Sequence, residues 1–478
     1  MGAIKSYYDL LNTTPAYKKF IESYGGQINS WVDIPPMSKN NYVKKYPVRE
    51  LHKDGIIPIG GGSQTDTSTG TSGTPTIWYR SKNELDYIQN MLILTADIVV
   101  GFNTDIYLIN MFALGKYATG MTVSRCLRDR FSVFNCGPDF DAAIRFIIAT
   151  EKEREKPGTY IVAGYPPHML EFVDLATQQG IDFSKISLFI VCGGESMSIH
   201  TRQNIEKYGV KLVISTYGAS DLDINVAGQN IFDKVLGDVI KKDPSLLVDL
   251  AGKSVINKGT PAVFHFNPLY YYIENDLDGN LYFTSLNDKR SSGRVKYCLE
   301  DIGCVIKAKK VRKVLKKHHY DELLKLHNNS IFPTLLLYGR YGTQLTFNGA
   351  NVLPQNLDAS LNSDHFNAYK KLVHHIAYQA DPDTNGLMGF LVELKEGSEI
   401  REDIGNEMRT VLLDGMCEDN RDLKWQIETC RSKGLKLPEM KFFESGKSPI
   451  KSDPHRKKEY IYYLLDEQIE MNTCLVVK

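Results

Sequence analysis

The 478-residue sequence has no Cys-x-x-Cys pair among its eight cysteines, and no histidine stands at zinc-finger spacing from them. That excludes a zinc ribbon or finger and predicts a reduced, cytoplasmic protein without a structural metal. Charge of one sign is also missing. Lysine plus arginine and aspartate plus glutamate number 57 each, which leaves no global field to collect nucleic acid or an anionic membrane. No long uncharged apolar run occurs either: the most apolar stretch, 91–114, carries Asp97, Asn103, Asp105 and Asn110, so it is not a bilayer span. The first residues lack the apolar core of a signal peptide. With 42% hydrophobic and 24% charged residues, the chain reads as globular, with room for one large domain and a smaller one.

The most informative stretch present is Thr67-Ser68-Thr69-Gly70-Thr71-Ser72-Gly73-Thr74-Pro75-Thr76. Glycines let backbone N–H groups turn toward an anion, and the hydroxyls add donors that rotate to suit it. It differs from a P-loop, because Gly73 is followed by Thr74 and Pro75 rather than by lysine. The β-branched and aromatic run Ile77-Trp78-Tyr79 follows, so the stretch is expected to join two strands of a hairpin. A short helix is expected over Asn41 to Leu51.

Downstream, apolar runs at 159–162, 188–191 and 211–214 alternate with helical patterns at 168–177 and 198–208. This predicts an α/β fold whose large N-terminal domain holds β-α-β parallel sheets. Ligands of such sheets gather beyond the carboxyl ends of the strands. Gly193-Gly194-Glu195 and Tyr217-Gly218-Ala219-Ser220-Asp221 follow two of these strands. After residue 225 the texture becomes β-rich, predicting a β-rich subdomain in the same domain (1–341). A small α+β C-terminal domain (342–478) is expected after it. The basic run Lys307–Lys317 reads either as a solvated helix face or as a docking patch for an acidic carrier or phosphorylated acceptor.

Taken together and in this order, the motifs resemble the adenylate-forming superfamily, and within it the phenylacetate-CoA ligase-like branch. Ile34-Pro35-Pro36-Met37-Ser38-Lys39 resembles that branch's entry segment, and 68–76 its phosphate loop. Gly193-Gly194-Glu195 is similar to its adenine-contacting turn, and Tyr217-Gly218-Ala219-Ser220-Asp221 to its aromatic-Gly-x-x-Glu motif. Asp301-Ile302-Gly303 resembles the ribose-binding segment, and Gly339-Arg340 through Pro354 the hinge and hairpin.

The resemblance implies ATP-dependent conversion of a carboxylic acid to an acyl-adenylate with loss of pyrophosphate. Acyl transfer would follow, to coenzyme A, or alternatively to a carrier-protein thiol or an amine. A catalytically silent adenylate-binding protein is the reading from another class. Ser68, Thr69, Gly70, Thr71, Ser72, Gly73, Thr74, Gly193, Gly194, Glu195, Tyr217, Gly218, Ala219, Ser220, Asp301 and Arg340 would bind ATP or AMP. Tyr217 would stack on adenine, Asp301 would accept from ribose hydroxyls, and Asp221 would hold Mg²⁺. Phe112, Tyr117 and Tyr165 would line the acyl pocket, Gly342 would be the hinge of a mobile C-terminal lid, and the catalytic lysine would be Lys447, Lys451 or Lys457. The resemblance is compatible with a homodimer. Three positions depart from the pattern: Asp221 stands in place of glutamate, Glu300 where glycine is frequent, and Gly342 where Asp or Lys is common.

Overall fold

The computed structural model describes residues 2–25, 28–67, 76–101, 105–194, 197–252, 260–328, 330–340, 345–348, 350–382, 384, 386–418, 420–450, 460–466, 469 and 472–477. Two compact units make up the chain. One comprises Met1–Ser196, Ile205–Val239 and Ala262–Leu337, the other Met197–Asn204, Ile240–Pro261 and Tyr338–Lys478.

The first unit opens with helices Gly2–Thr13 and Pro15–Glu22, the second begun by Pro15, whose fixed φ suits a first helical position. Their apolar faces bury Tyr7, Leu10, Tyr17 and Phe20, as their spacing predicts. Strand β1 (Met37–Ser38) follows. The helix expected over Asn41–Leu51 is not continuous. A π-helical turn, Lys39–Val43, and a 3-10 turn, Val48–Leu51, flank Pro47. Proline has no N–H to donate and disfavours helical geometry in the residue before it.

Strands β2 (Gln64–Thr67) and β3 (Ile77–Arg80) form the expected antiparallel hairpin, closed at Thr67 opposite Ile77. Next come β4 (Ile106–Asn110), β5 (Ser132–Asn135), β6 (Thr159–Gly164), β7 (Ser187–Cys192) and β8 (Leu212–Tyr217). They pair in parallel in the order β5-β4-β6-β7-β8. Tyr160 to Ala163, Leu188 to Ile190 and Leu212 to Ile214 are buried, which is why these strands read as continuous apolar runs.

The sheet continues through β9 (Ala227–Gly228), β10 (Ala262–His265), β11 (Tyr271–Asn275), β12 (Asn280–Ser285), β13 (Tyr297–Ile306) and β14 (Thr334–Arg340). Its order among the described residues is β11-β12-β13-β14-β10-β9-β8-β7-β6-β4-β5, with β1 parallel to β13. The β-rich half and the parallel half thus share one sheet.

In the second unit, β15 (Leu345–Phe347) and β16 (Ala350–Val352) form a hairpin. Strands β17 (Val373–Ala380), β18 (Leu387–Leu394), β19 (Glu439–Phe443), β20 (Ile461–Tyr463) and β21 (Leu475–Val477) form a mixed sheet in the order β20-β17-β18-β19-β21. Helices Glu402–Cys417 and Arg421–Lys433 supply Met408, Leu412, Leu423 and Ile427 to one core with Tyr378, Phe390 and Phe442. The expected α/β class, with its parallel sheet, its β-rich part and a smaller α+β part, is present. No helix among the described residues is long and apolar enough to cross a membrane.

Candidate nucleotide and acyl site

Four parallel strands, β4, β6, β7 and β8, end close together, and the residues at their ends line the candidate site. Gly193 follows β7, and its N–H donates to the Gly164 carbonyl at the end of β6 at 3.1 Å. A Cβ at Gly193 would lie 2.8 Å from Thr216 Oγ1 and 3.4 Å from the Phe112 ring, so the two neighbouring strand ends leave no room for a side chain. Gly194 has φ of +81°, the region open to glycine.

Phe112 and Tyr165, both buried, meet edge to face with ring centroids 5.3 Å apart. Tyr117 packs on the same apolar cluster. It also bridges to Thr67, at the loop end of the β2–β3 hairpin. All three residues expected in an acyl pocket therefore belong to one apolar patch, which Tyr117 joins to Thr67. Residues 68–74 and Glu195 lie outside the described residues.

Beyond β8 the chain makes a tight turn. The Ala219 N–H donates to the Asp223 carbonyl at 2.9 Å, and the Val226 N–H to the Tyr217 carbonyl at 2.7 Å. A Cβ at Gly218 would fall 2.3 Å from the Ile224 carbonyl oxygen, so only glycine fits there. Three buried arginines grip the turn from outside. Arg80 donates to the Ser220 carbonyl (2.7 Å) and the Leu222 carbonyl (3.1 Å). Arg290 donates to Leu222 (2.6 Å) and Asp221 (3.2 Å), and Arg294 Nε to the Asp221 carbonyl (3.1 Å).

Carboxylates balance these charges. Arg80 pairs with Asp66 at 2.9 Å and Glu84 at 3.5 Å, and Arg290 reaches Asp223 at 3.4 Å. Burial raises the Glu84 carboxyl above its usual range, opposed by Arg290 and Arg80. Burial would lower Arg80, but Asp66, Glu84 and Asp223 together raise it. Arg294 has no carboxylate within 4.0 Å among the described residues. It lies over the rings of Trp78 and Tyr297, at 5.3 and 5.1 Å, and is lowered by burial and by Arg290. Reading the sequence missed these arginines. Arg290 and Arg294 flank Ser291-Ser292-Gly293, which reads as an exposed turn; two arginines four residues apart between strand-like runs were the available clue.

Tyr217 and Asp301 are brought together across 84 positions. The Tyr217 hydroxyl donates to Asp301 Oδ2 at 2.5 Å, and its ring tilts against Phe264 and Phe283. Asp301 is buried. The β12–β13 pairing shifts register here, with Asn280 opposite Ile302 but Tyr282 opposite Cys298. Glu300 lies in this bulge with φ of +65°. It therefore holds a left-handed conformation at the position where the resemblance leads one to expect glycine.

Asp221 is buried as well. Its Oδ2 accepts from the Tyr297 hydroxyl at 2.6 Å, and its Oδ1 lies 3.7 Å from Lys39 Nζ. No group of three or more His, Cys, Asp or Glu side chains suited to a metal occurs among the described residues. Asp221 would give a metal one carboxylate oxygen, with water and, when bound, a substrate's oxygens as further ligands, which is the usual manner of Mg²⁺ in phosphate sites.

Within the second unit, Lys447 sits in the turn after β19. Its ammonium pairs with Glu444 at 2.5 Å, and the side chain is more than half exposed. Lys451, Lys457 and Gly342 lie outside the described residues, as does the Arg340 side chain.

No family model matches the chain, and no curated protein matches it in sequence. Solved structures do match. A 2-hydroxyisobutyryl-CoA ligase in the postadenylation state, in complex with 2-HIB-AMP, has a TM-score of 0.65 at 14% identity, over 98% of this chain and 89% of that one. The same ligase with 2-HIB-AMP and CoA in its thioesterification state gives 0.54 at 13% identity, over 96% and 88%. The anthranilate CoA ligase AuaEII with anthranoyl-AMP gives 0.50 at 13% identity, over 82% and 65%. The chain shares the fold of these CoA ligases. Within that fold, the strand ends that carry Gly193, Gly218 and Tyr217 belong to the first unit, and the Lys447 turn to the second.

Proposed function

We propose that the chain is an ATP-dependent acid ligase that makes an acyl-adenylate and passes the acyl group to coenzyme A. The observation that carries this reading is the Tyr217–Asp301 pair, set at the carboxyl end of β8, with the apolar patch of Phe112, Tyr117 and Tyr165 following β4 and β6 of the same sheet. An aspartate and an aromatic ring at the strand ends of a parallel sheet, the side where nucleotides bind, support reading Asp301 as the ribose-binding carboxylate and Tyr217 as the platform for the base. The fold likeness to ligases captured with acyl-adenylates supports it.

In this reading the substrate carboxylate attacks the α-phosphorus, an acyl-oxygen–phosphorus bond forms, and the bond to pyrophosphate breaks. The thiol then adds to the acyl carbon and AMP leaves. The hydroxyl stretch 67–76 supplies N–H and O–H donors to the phosphates, Asp301 accepts from the ribose, and Gly193 and Gly194 let the backbone approach adenine. The Tyr217 ring forms the platform for the base, and its hydroxyl fixes Asp301. A magnesium ion bound through Asp221 would neutralise phosphate charge.

Phe112, Tyr117 and Tyr165 favour an aryl or other apolar acid. We assign the catalytic lysine to Lys447, with Lys451 and Lys457 as alternatives, and place residues 342–478 on a lid that turns about Gly342. The phenylacetate-CoA ligase-like branch, the cytoplasm and a homodimer complete this reading.

Incubation with ATP, Mg²⁺ and a panel of aryl, fatty and amino acids should yield an acyl-AMP detectable by mass spectrometry for one acid class. Coenzyme A should convert it to a thioester. An amide with added amines and no thioester would reassign the acceptor. Nucleotide binding without any acyl-AMP would make the chain a silent binder.

A further inference from the structure

The ammonium of Lys39 faces Asp221. Lys39 begins the π-helical turn 39–43, in which the Lys44 N–H donates to the Lys39 carbonyl at 2.8 Å. Ser38 and Asn41 cap it reciprocally, at 2.7 and 3.1 Å. Strand β1 ties the turn to β13, with Met37 opposite Tyr297 and Ser38 opposite Cys298. Tyr297 is the residue that donates to Asp221. The backbone at Lys39 is therefore fixed relative to Asp221, while its four-carbon stem remains free to turn.

Lys39 Nζ lies 3.7 Å from Asp221 Oδ1 and 5.7 Å from the ring of Trp78, the second residue of the strand that leaves the hydroxyl stretch. Its side chain is 27% exposed, whereas Arg80, Arg290 and Arg294 are buried and committed to the turn's carbonyls. Tyr297 donates to Oδ2 and the Lys39 ammonium faces Oδ1, so a metal taking Oδ1 would meet that ammonium. An ammonium and a divalent ion cannot both serve one carboxylate oxygen without strong repulsion. The pair is also long and partly solvated, hence weak. A polyphosphate, carrying several negative charges, would draw the ammonium away.

We infer that Lys39 is a phosphate-contacting residue that rests on Asp221 in the nucleotide-free chain and transfers to the phosphates when a metal–nucleotide complex arrives. This rests on the nucleotide-site reading above.

The test measures Mn²⁺ binding to the full chain by electron paramagnetic resonance without nucleotide, then ATP binding by calorimetry with Mn²⁺ present. It compares wild type, Lys39→Met, Lys39→Gln and Asp221→Asn. Removing the ammonium should tighten Mn²⁺ binding about threefold to fivefold, and Asp221→Asn should abolish it. ATP affinity of both Lys39 variants should fall about tenfold or more. Unchanged Mn²⁺ affinity in Lys39→Met and Lys39→Gln would overturn the inference, as would unchanged ATP affinity, and either result leaves a wild-type nucleotide site standing. Failure of the wild type itself to bind ATP would overturn both the inference and the site.

Discussion

Glu300 is a left-handed residue with a Cβ, placed in the bulge that turns Asp301 toward Tyr217. Such a conformation costs an ordinary residue about 1 kcal/mol or more relative to glycine. Glu300→Gly should therefore raise stability by about 1 kcal/mol and leave nucleotide binding intact, which denaturant unfolding and calorimetry would check. Lower stability would mean that the Glu300 side chain compensates for the strain. The sequence showed that Glu300 was unusual, because the resemblance supplied an expectation for that position. It could not show that Tyr217 would hydrogen-bond Asp301, since a contact across 84 residues depends on how β8 and β13 are placed in the sheet.

The turn Tyr217–Asp223 is stiffened from within by Gly218 and from outside by Arg80, Arg290 and Arg294. Gly218→Ala would press a methyl group onto the Ile224 carbonyl and should destabilise by about 3 kcal/mol, read as a fall in the denaturant midpoint. Arg290→Met would leave Glu84 and Asp223 short of a partner in the interior, a loss of about 3 to 5 kcal/mol. If Arg290→Met changed stability by less than 1 kcal/mol, the network would not be holding the turn. At this scale legibility divided cleanly. The hairpin and the parallel strands were readable because their patterns are local: β-branched runs, alternation with helices, and glycine at strand ends. Burial of Arg290 and Arg294 was not, because it depends on carboxylates and carbonyls at positions 84 and 221–223. The continuous helix expected at 41–51 failed for a local reason that was visible, Pro47.

Across the whole molecule, two histidines should govern acid stability. Burial, together with Arg294, lowers His52 to about 4; burial, His265 and Arg312 lower His327 to about 4. In the unfolded chain both titrate near 6.5. As pH falls from 6.5 to 4 the unfolded chain takes up protons that the folded chain refuses, so stability declines through that window and is fully retained above it. The melting temperature should drop between pH 6.5 and 4, and His327→Leu should make that decline shallower. An equal slope in wild type and variant would show that His327 is protonated when folded.

The molecule's class and the order of its motifs were readable from sequence because strand ends and glycine turns leave short signatures. The identity of the acid was not, since the apolar patch of Phe112, Tyr117 and Tyr165 fixes a polarity rather than a structure.

The most direct test of the acid-ligase function is acid-dependent exchange of labelled pyrophosphate into ATP, measured on wild type and Asp301→Ala. Exchange supported by one class of carboxylic acid is expected in the wild type, with a loss of about a hundredfold or more in Asp301→Ala. Undiminished exchange in Asp301→Ala, or none in the wild type with any acid of the panel, would contradict it.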